Sequence, residues 1–368
     1  MIRYSWQQKD WPNFTYSLQN VEDDLFLFVE KAGKVTGILN ALPENTQIEA
    51  IVDMIVSEAI KTSEIEGEYL SRKDVLSSVR KNLGLVSSPD YITDKKAIGI
   101  SDLMIDVRNT FKEELTEERL FAWHKMLFKG GKGIEIGMWR THEEPMHVIS
   151  GAMGKQKVHY EAPPSKKVPE EMKQFIEWFN ETGPGGAKEI KKAPVRSAIA
   201  HLYFETIHPF EDGNGRIGRA IAEKVLAQGM GRPILMSLSR TIEANKNAYY
   251  GALEKVQRSN EITEWVNYFV KTVLAAQTEA EEQIDFTLKK VKFFDRNKDR
   301  LSERQLKVIK RMLDEGPKEF EGGMNASKYG SLTKISKATA TRDLQDLLEK
   351  KIFIVIGAGR NTRYQIDL

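Results

Sequence analysis

The chain has 368 residues, of which 40% are hydrophobic and 29% charged, and its formal net charge is +2. This is an ordinary globular composition, and the chain is long enough for two or three domains. It contains no cysteine, which excludes disulfides, a thiol nucleophile and cysteine-ligated zinc. No run approaches the ~18 apolar residues that span a bilayer, and residues 1–10 lack the apolar stretch of a signal peptide, so we expect a cytoplasmic protein.

The first two thirds of the chain predict a mainly α-helical body. The aromatic residues before Leu18 lack helical periodicity and predict an extended arm, and apolar residues then recur at helical spacing until Leu42-Pro43. Ile48 to Ile60 predicts a second helix. Further amphipathic stretches predict helices over Asp102–Phe111, Thr116–Phe128, Pro169–Asn180, Pro194–His208, Gly215–Gln228 and Ile262–Glu282.

Residues Met146 to Tyr160 depart from the helical pattern and predict a β-hairpin. Two short β-prone runs surround Gly151 and Gly154, and Pro163-Pro164 follows them. Two interpretations stay open for this hairpin. It is either a flap that holds an extended peptide by strand addition or a plain connection between helices.

The C-terminal segment predicts a small basic domain. Residues 289–368 contain 19 Lys and Arg against 11 Asp and Glu, a balance of +8, which leaves −6 for residues 1–288 and suggests a different partner for this segment. The predicted elements are a linker over Phe294–Arg300, helices over Arg304–Leu313, from Ser331–Ile335 onward and over Lys337–Lys350, and strands over Ile352–Val355 and Thr362–Ile366.

Helices followed by two strands predict a winged helix-turn-helix. The residues placed for phosphate or base contacts are Thr339, Thr341, Arg342, Arg360 and Arg363. The alternative is a winged helix that contacts another protein.

The stretch Ile207–Arg219, I-H-P-F-E-D-G-N-G-R-I-G-R, combines residue types that handle a phosphorylated ligand. Pro209 cannot lie inside a helix, so one helix ends at His208 and a loop begins. Gly213 and Gly215 let the backbone approach a ligand closely. A helix that starts near Gly215 directs its free N–H groups at the loop, which predicts an anion-binding site.

Four side chains of this stretch suggest specific roles. Arg216 and Arg219 share a face in the first turns of the helix, where positive charge opposes the helix dipole, and this placement indicates a bound anion. His208 can take a proton from an incoming hydroxyl, although a structural role is the alternative. Asp212 is suited to bind Mg²⁺ together with ligand phosphates, or to cap the helix, and both roles can coexist.

Residues His208 to Arg219 resemble, with no departures, the signature H-x-F-x-[DE]-G-N-G-R-x-x-R of the Fic family, enzymes that mostly transfer AMP from ATP to protein hydroxyls. Gly215 indicates the AMP-transferring branch, since the Doc-like kinase branch carries lysine there. The resemblance implies a general base at His208, a Mg²⁺ ligand at Asp212, a core anchor at Phe210, α- and β-phosphate binding by Gly213, Asn214 and Gly215, and outer-phosphate binding by Arg216 and Arg219.

A second motif lies far upstream. Thr62–Gly67, T-S-E-I-E-G, resembles [ST]-x-x-x-E-[GN], the autoinhibitory signature of the same family. Glu64, Glu66 and Glu68 lie at the C-terminal end of an apolar helix and oppose its dipole, a cost that a cationic partner would relieve. The resemblance implies that Glu66 reaches Arg219, blocks the γ-phosphate and holds ATP in an unproductive pose.

Other positions correspond to the family more loosely. The predicted hairpin matches the flap of the family, whose nucleotide-facing end would be Val158, His159, Tyr160 and Glu161. The positions that flank adenine in relatives correspond to Tyr249, Tyr250 and Gln257. Core packing of the tyrosines and an exposed amide are the alternatives for these three.

The resemblance implies a mainly α fold with three parts. These are an N-terminal arm and inhibitory-helix region at residues 1–95, a Fic helical bundle core with a β-hairpin flap at 96–288, and a winged helix-turn-helix at 289–368. The implied activity is that of a self-inhibited protein adenylyltransferase, which uses ATP and Mg²⁺, modifies a Ser, Thr or Tyr hydroxyl of a target or of itself, and releases pyrophosphate.

Two other functions stay open. One is a de-adenylylase, in which Glu66 positions water to remove AMP from a modified protein. The other is a DNA-binding regulator whose core senses nucleotide, and an intact His208 argues against it because a sensor needs no base. At the family level we expect a homodimer through the N-terminal region, and we expect no membrane partner.

Overall fold

The computed structural model describes residues 4–86, 92–129, 134–150, 157–314, 316–317, 320, 322–357, 359 and 362–368. The chain forms two compact units. The first contains Met1–Gly33 and Asn45–Thr278, and the second contains Lys34–Glu44 and Glu279–Leu368. No helix among the described residues is long and apolar enough to cross a membrane.

The first unit is built from helices and one β-hairpin, which confirms the mainly α prediction. Helix N-termini follow capping residues: the side chain of Ser71 accepts a hydrogen bond from the N–H of Asp74, and Thr116 and Asp94 cap the next two helices in the same way. The helices are α1 (Glu22–Ala41), α2 (Glu44–Ile65), α3 (Arg72–Asn82), α4 (Lys95–Asn109), α5 (Glu117–Leu127), α6 (Val168–Glu181), α7 (Ala193–Ile207), α8 (Asn214–Met230), α9 (Leu238–Ala244), α10 (Lys246–Val256) and α11 (Thr263–Asn297).

Helices α3, α9 and α10 were not among the predicted helices. They are short, at 11, 7 and 11 residues, and each buries only three residues. So few apolar positions are not enough to establish a period of 3.6 residues. Residues 45–278 lie in one compact unit, so the predicted boundary at residue 95 stays a prediction.

Helix α7 lies at the centre of this unit, because all 15 of its residues are buried. A helix that is buried on every side must also bury its polar residues, which then need partners inside the protein. Arg196 donates to the carbonyl of Phe179 at 2.6 Å, and His201 pairs with the hydroxyl of Tyr249 at 2.7 Å.

The predicted hairpin is present as β1 (His147–Ser150) and β2 (Lys157–Glu161), two antiparallel strands with a register shift between Val148 and Ile149. Its predicted turn at Gly151 and Gly154 lies outside the described residues. Strand β2 is fixed to the body, because the hydroxyl of Tyr160 donates to the carbonyl of Thr206 at 2.7 Å and its ring packs edge-on against Tyr4.

The second unit contains three further helices and a two-stranded antiparallel sheet around a core of its own. These are α12 (Glu303–Leu313), α13 (Ala326–Thr333), α14 (Lys337–Glu349), β3 (Phe353–Ile356) and β4 (Arg363–Ile366). The position of Arg360, one of the predicted contact residues, lies outside the described part of the chain.

Two predictions for this unit were wrong. The predicted linker at Phe294–Arg300 is largely helix, since α11 continues to Asn297 and Phe293 is buried in the core of the unit. The second helix ends rather than begins near Ser331–Ile335. It starts after Asn325, whose side chain accepts the N–H of Lys328, and it stops at Lys334, whose φ of 57° is left-handed.

Candidate active site

The site begins at the loop between α7 and α8. His208 ends α7 with φ 51° and ψ 60°, a left-handed conformation that costs a residue with a side chain roughly 1 kcal/mol. Its N–H donates to the carbonyl of Phe204 at 2.9 Å, and its carbonyl accepts from Nε of Arg140 at 2.8 Å. The backbone of His208 is therefore held on both sides, which sets the direction of its ring.

Arg140 is a buried cation that ties this loop to the segment after the hairpin. Its guanidinium also donates to the hydroxyl of Ser165 at 2.8 Å and to the carbonyl of Pro163 at 2.5 Å. Burial lowers its pKa to about 10, so it stays charged at neutral pH. A cation at the C-terminus of α7 is favoured by the helix dipole.

Three buried side chains shape the rest of the loop. Phe210 is fully buried and stacks on the ring of His124 with centroids 4.2 Å apart. The side chain of Asn214 accepts the N–H of Phe210 at 2.9 Å and donates to its carbonyl at 2.8 Å. Nδ1 of His124 accepts the N–H of Gly137, and Nε2 donates to the carbonyl of Asp212 at 3.2 Å. Burial lowers the pKa of His124 to about 4, so the ring is neutral.

The N-terminus of α8 faces the loop with free backbone donors. Gly213 precedes the helix with φ 81°, and Ile217 is the first residue to bond back, to the carbonyl of Gly213. The N–H groups of Asn214, Gly215 and Arg216 therefore lack acceptors within the helix, which is the usual basis of anion binding at a helix N-terminus.

The carboxylate of Glu66 lies at this helix N-terminus. Oε1 of Glu66 is 2.7 Å from Nη2 of Arg219, which also donates to the carbonyl of Thr62 at 2.8 Å. A Cβ atom on Gly215 would lie 2.2 Å from the same Glu66 oxygen, so the carboxylate lies directly over the first turn of α8. Burial alone would raise the pKa of Glu66, but the charge of Arg219 outweighs it and lowers this pKa, so Glu66 is ionised.

The neighbouring glutamates also have cationic partners. Oε2 of Glu68 is 2.5 Å from Nη1 of Arg216, and its other oxygen is 2.6 Å from Nζ of Lys96. Glu64 pairs with Lys61 at 2.5 Å. These contacts offset the cost of three acidic residues at the end of α2.

A cavity of about 630 Å³ opens beside these groups, within the usual range for small-molecule sites of about 300–1,000 Å³. The predicted residues that line it are Glu66, His159, Tyr160, His208, Asp212, Gly213, Asn214, Gly215, Arg219, Tyr249, Tyr250 and Gln257.

Three predicted ATP-binding residues do not line the cavity. Val158 is 37% exposed, and Glu161 pairs with His147 on the other strand. Arg216 is covered by Glu68.

The three residues predicted to flank adenine differ in how far they are buried. Gln257 is not an exposed amide, because it is only 5% exposed and donates to the carbonyl of Glu205 at 3.3 Å. Tyr249 is buried against His201, whereas Tyr250 is 37% exposed and its hydroxyl lies 3.5 Å from Glu66.

Several cavity residues were missed in the sequence. Glu205 lies one helical turn before His208, and this spacing alone predicts that the two share a face. Nothing local marks Lys246, whose ammonium donates to the carbonyl of Ile65 at 3.1 Å, or Glu254, which lies 2.6 Å from Nδ1 of His159.

The two titratable groups beside the loop are both neutral at pH 7. Burial, followed by the charge of Arg140, lowers the pKa of His208 to about 4. Burial raises the pKa of Glu205 to about 8. A neutral imidazole at the edge of a cavity is able to accept a proton.

Asp212 is the carboxylate of the loop that could hold a metal ion. Its side chain is 59% exposed, its Oδ1 accepts the N–H of Gly213 at 2.6 Å, and it lies 3.6 Å from Arg216. The described residues contain no group of three His, Asp or Glu side chains placed to hold a metal ion. One carboxylate fits Mg²⁺ if nucleotide phosphates provide the other ligands.

Sequence comparisons match two segments of the chain. Residues 114–226 match the model of the Fic/DOC family, and residues 4–85 match a domain of unknown function, DUF4172. A probable protein adenylyltransferase of Aquifex aeolicus is 31% identical over 168 residues, 43% of this chain and 47% of the relative. A protein adenylyltransferase of Caenorhabditis elegans is 24% identical over 159 residues and 27% of its length. The chain thus covers less than half of either relative.

Solved structures share the fold. A Fic family protein from Desulfovibrio desulfuricans superimposes with a TM-score of 0.57 at 19% identity, over 96% of this chain and 98% of the other. A Fic domain containing signaling protein from Bacteroides thetaiotaomicron gives a TM-score of 0.52 at 18% identity, over 70% of this chain and 97% of the other. The loop after α7 thus lies within the segment, residues 114–226, that matches the model of the Fic/DOC family.

Proposed function

We propose that this protein transfers AMP from ATP to a hydroxyl group of a protein substrate. The observation that carries the proposal is one cavity in which His208, the free N-terminus of α8 and Arg219 converge. Nη1 of Arg219 is buried and has no hydrogen-bond partner among the described residues, so it can donate to a phosphate oxygen. The names of the two curated relatives support the same reaction.

In this reaction the oxygen of the target hydroxyl attacks the α-phosphorus of ATP. The bond from that phosphorus to the bridging oxygen breaks, pyrophosphate leaves, and the hydroxyl proton moves to the ring of His208. With a pKa of about 4 the ring is unprotonated, and the negative charge of a bound nucleotide would raise that pKa again. Donors at the start of α8 would offset charge on the phosphates.

Asp212 would hold Mg²⁺ at the rim of this cavity. Its exposed carboxylate beside the anion-binding helix end suits an ion that binds one or two carboxylates and several phosphate oxygens. When bound, the ion supplies positive charge against the phosphate groups.

Two contacts support a self-inhibited state. Glu66 and the γ-phosphate would compete for Arg219, because the carboxylate pairs with its guanidinium and covers the first turn of α8. Glu68 would act in the same way on Arg216, which is only 4% exposed behind this pair. ATP then binds productively only when the end of α2 moves away.

Mass spectrometry after incubation with ATP and cell lysate tests the class of reaction. We expect AMP adducts with the Glu66→Gly variant and none with Glu66→Gly/His208→Ala. Glu66→Gly/His142→Ala is the matched control, since His142 does not line the cavity and its loss should leave the adducts unchanged. Phosphate adducts, or AMP adducts that persist without His208, would contradict the proposal.

De-adenylylation is a second candidate, favoured by the placement of Glu66. This carboxylate faces the same cavity as His208 and is kept ionised by Arg219, as required of a base that activates water. If the wild type removes AMP from proteins modified by the Glu66→Gly variant, and that variant does not, this activity is present. Stable adducts in the presence of the wild type would exclude it.

For the second unit we propose a winged helix that binds duplex DNA through α14. Lys334 lies just before α14, and Lys337 and Arg342 lie in its N-terminal half. All three are exposed and have no acidic partner among the described residues. The hydroxyls of Thr339 and Thr341 bond within the helix end, so the cations would make the first contacts to phosphate. The alternative is a protein partner on the exposed apolar residues of β3, Ile354, Val355 and Ile356.

A further inference from the structure

Two buried polar groups face each other beneath the cavity without a hydrogen bond. Glu205 is 6% exposed, and its Oε1 has no partner among the described residues. Its Oε2 lies 3.8 Å from Nδ1 of His208, which is also buried and also lacks a partner in the described chain. Unpaired buried polar groups are costly, so a pair of them beside a proton acceptor calls for a functional reason.

The fold makes room for this carboxyl. Glu205 lies three residues before His208 on α7, so both side chains lie on one face of the helix. A Cβ atom on Gly218 of α8 would lie 2.3 Å from Oε1 of Glu205. Only glycine at position 218 therefore leaves space for the carboxyl between the two helices.

The two ring nitrogens of His208 differ in access. Nδ1 is buried, whereas the ring lines the cavity and is 16% exposed. Nε2 is therefore the nitrogen that a substrate can reach. A neutral imidazole carries one proton, so Nε2 has a free lone pair only when the proton is on Nδ1.

We propose that Glu205 is a positioning residue whose carboxyl accepts a hydrogen bond from the Nδ1–H of His208, which keeps the ring proton on Nδ1 and leaves Nε2 free to take the proton of the target hydroxyl. This inference rests on the proposed AMP transfer. The separation of 3.8 Å is longer than a hydrogen bond, and such contacts often tighten when the substrate complex forms. A carboxyl that orients a histidine in this way is a general feature of base catalysis.

The backbone carbonyl of Glu205 is the competing acceptor. Residue 209 is proline and has no N–H, so this carbonyl has no helical donor four residues on. It accepts instead from Nε2 of Gln257 at 3.3 Å, and its contact also raises the pKa of His208. The experiment must therefore separate the side chain of Glu205 from its backbone.

Charged groups on several elements surround this pair. The charge of Arg219 on α8 lowers the pKa of Glu205, Glu66 at the end of α2 raises it, and Tyr249 on α10 lies near the same carboxyl. Around His208, Arg140 lowers the ring pKa, and Glu66 and Asp212 raise it.

These surroundings predict a pH signature. Burial dominates and raises the pKa of Glu205 to about 8, so below pH 8 its neutral carboxyl offers a carbonyl oxygen as acceptor. Above pH 8 the carboxylate stabilises the protonated ring more strongly. His208 then becomes a stronger base, and the rate of transfer should rise.

The test uses full-length protein in the Glu66→Gly background, where loss of the Glu66 charge lowers the pKa of Glu205 and moves the rise in rate to lower pH. Glu205→Gln keeps an oxygen acceptor, so we expect kcat at pH 7 within about threefold of the parent but none of the parent's rise with pH. Glu205→Leu has similar volume and no acceptor, so we expect kcat to fall at least about tenfold with an unchanged KM for ATP. Glu223→Gln is the matched control, because burial also raises the pKa of Glu223 to about 8 and it does not line the cavity.

Nitrogen-15 NMR of His208 reads the tautomer without relying on activity. We expect the proton on Nδ1 in the parent and in Glu205→Gln, and a shift toward Nε2 in Glu205→Leu. An unchanged tautomer in the leucine variant, or an unchanged kcat, assigns the role to the backbone carbonyl and overturns the proposal. If the parent transfers no AMP, the proposed function fails, while the NMR result still decides the role of Glu205.

Discussion

At the scale of single residues, Asn214 shows how the loop of the site is held. Its side chain bonds to both backbone groups of Phe210, and Phe210 in turn packs on His124. The backbone N–H of Asn214 lies in the first turn of α8 and has no acceptor within the helix. The shape of the turn before α8 therefore depends on the side chain of Asn214, which bonds to the backbone of the loop.

Replacing Asn214 with alanine tests this role. The change leaves the buried N–H and carbonyl of Phe210 without partners, so we expect a loss of about 2–4 kcal/mol in the free energy of unfolding, measured in urea. Asn82→Ala is the control, because Asn82 makes an exposed contact to Asp102 and should change stability by less than about 0.5 kcal/mol. Equal effects of the two changes would contradict the assigned role.

His201 predicts a pH dependence of stability. Burial lowers its pKa from 6.5 to about 3, so the folded state keeps it neutral where the unfolded chain takes up a proton. The stability that the folded state gains from a neutral His201 is therefore fully present above pH 6.5 and is lost as the pH falls toward 3. Relative to His201→Phe, the wild type should lose about 2 kcal/mol of stability between pH 8 and pH 5. A constant difference across this range would mean that His201 binds a proton equally well in the folded and unfolded chain, and would contradict the prediction.

Residue types at short spacing could be predicted, and distant contacts could not. His208, Asp212 and the glycines lie within one short stretch, where proline and glycine set the backbone. Arg140 and His124 lie 68 and 88 residues before the loop groups that they bond. No local pattern marks these two as supports of the site.

At the scale of elements, the end of α2 and the start of α8 meet with complementary charge. Glu66 and Glu68 follow the last residue of α2 and flank Gly67, whose left-handed φ of 81° turns the chain there. Each carboxylate pairs with one arginine of α8. Two ion pairs therefore join the end of α2 to the start of α8. The sequence predicted only the pair between Glu66 and Arg219.

A double-mutant cycle tests whether Glu68 belongs to this contact. We expect Glu68→Gln to raise AMP transfer about threefold to tenfold, with coupling to Glu66→Gly because both carboxylates hold the same helix end. Glu64→Gln is the matched control, since Glu64 pairs with Lys61 and not with an arginine of α8. Strict additivity with no gain from Glu68→Gln would restrict the contact to Glu66.

Helix boundaries also show where patterns fail. The residues after Glu282 turn basic, which suggested a linker near Phe294, but α11 continues because Phe293 packs in the core of the second unit. A helix that buries few residues of a charged stretch has little apolar periodicity to detect. Tertiary packing, rather than local propensity, sets its end.

At the scale of the whole molecule, charge separates the two ends of the chain. Residues 289–368 carry +8 and the preceding residues −6, so a polyanion should prefer the second unit. The small apolar surface of β3 argues for a protein partner instead, and a binding measurement decides between them.

Fluorescence anisotropy with a genomic pool of duplex DNA makes this measurement. We expect salt-sensitive binding, and Arg342→Glu should weaken it and lower the slope of log affinity against log salt by about 1. Lys173→Glu is the control, an exposed charge change in the first unit that should leave binding unchanged. No binding at low salt, or equal binding by both variants, would favour the protein partner.

The central claim is that Glu66 and ATP compete for Arg219 and so decide whether His208 meets a productive α-phosphate. The most direct measurement is the initial rate of AMP transfer at saturating ATP by the wild type and by Glu66→Gly. We predict that the variant transfers AMP at least about tenfold faster. This ratio corresponds to a free-energy difference of about 1.4 kcal/mol between the two proteins. Equal rates at equal ATP occupancy would contradict the account, because Arg219 would then be free for nucleotide despite its contact with Glu66.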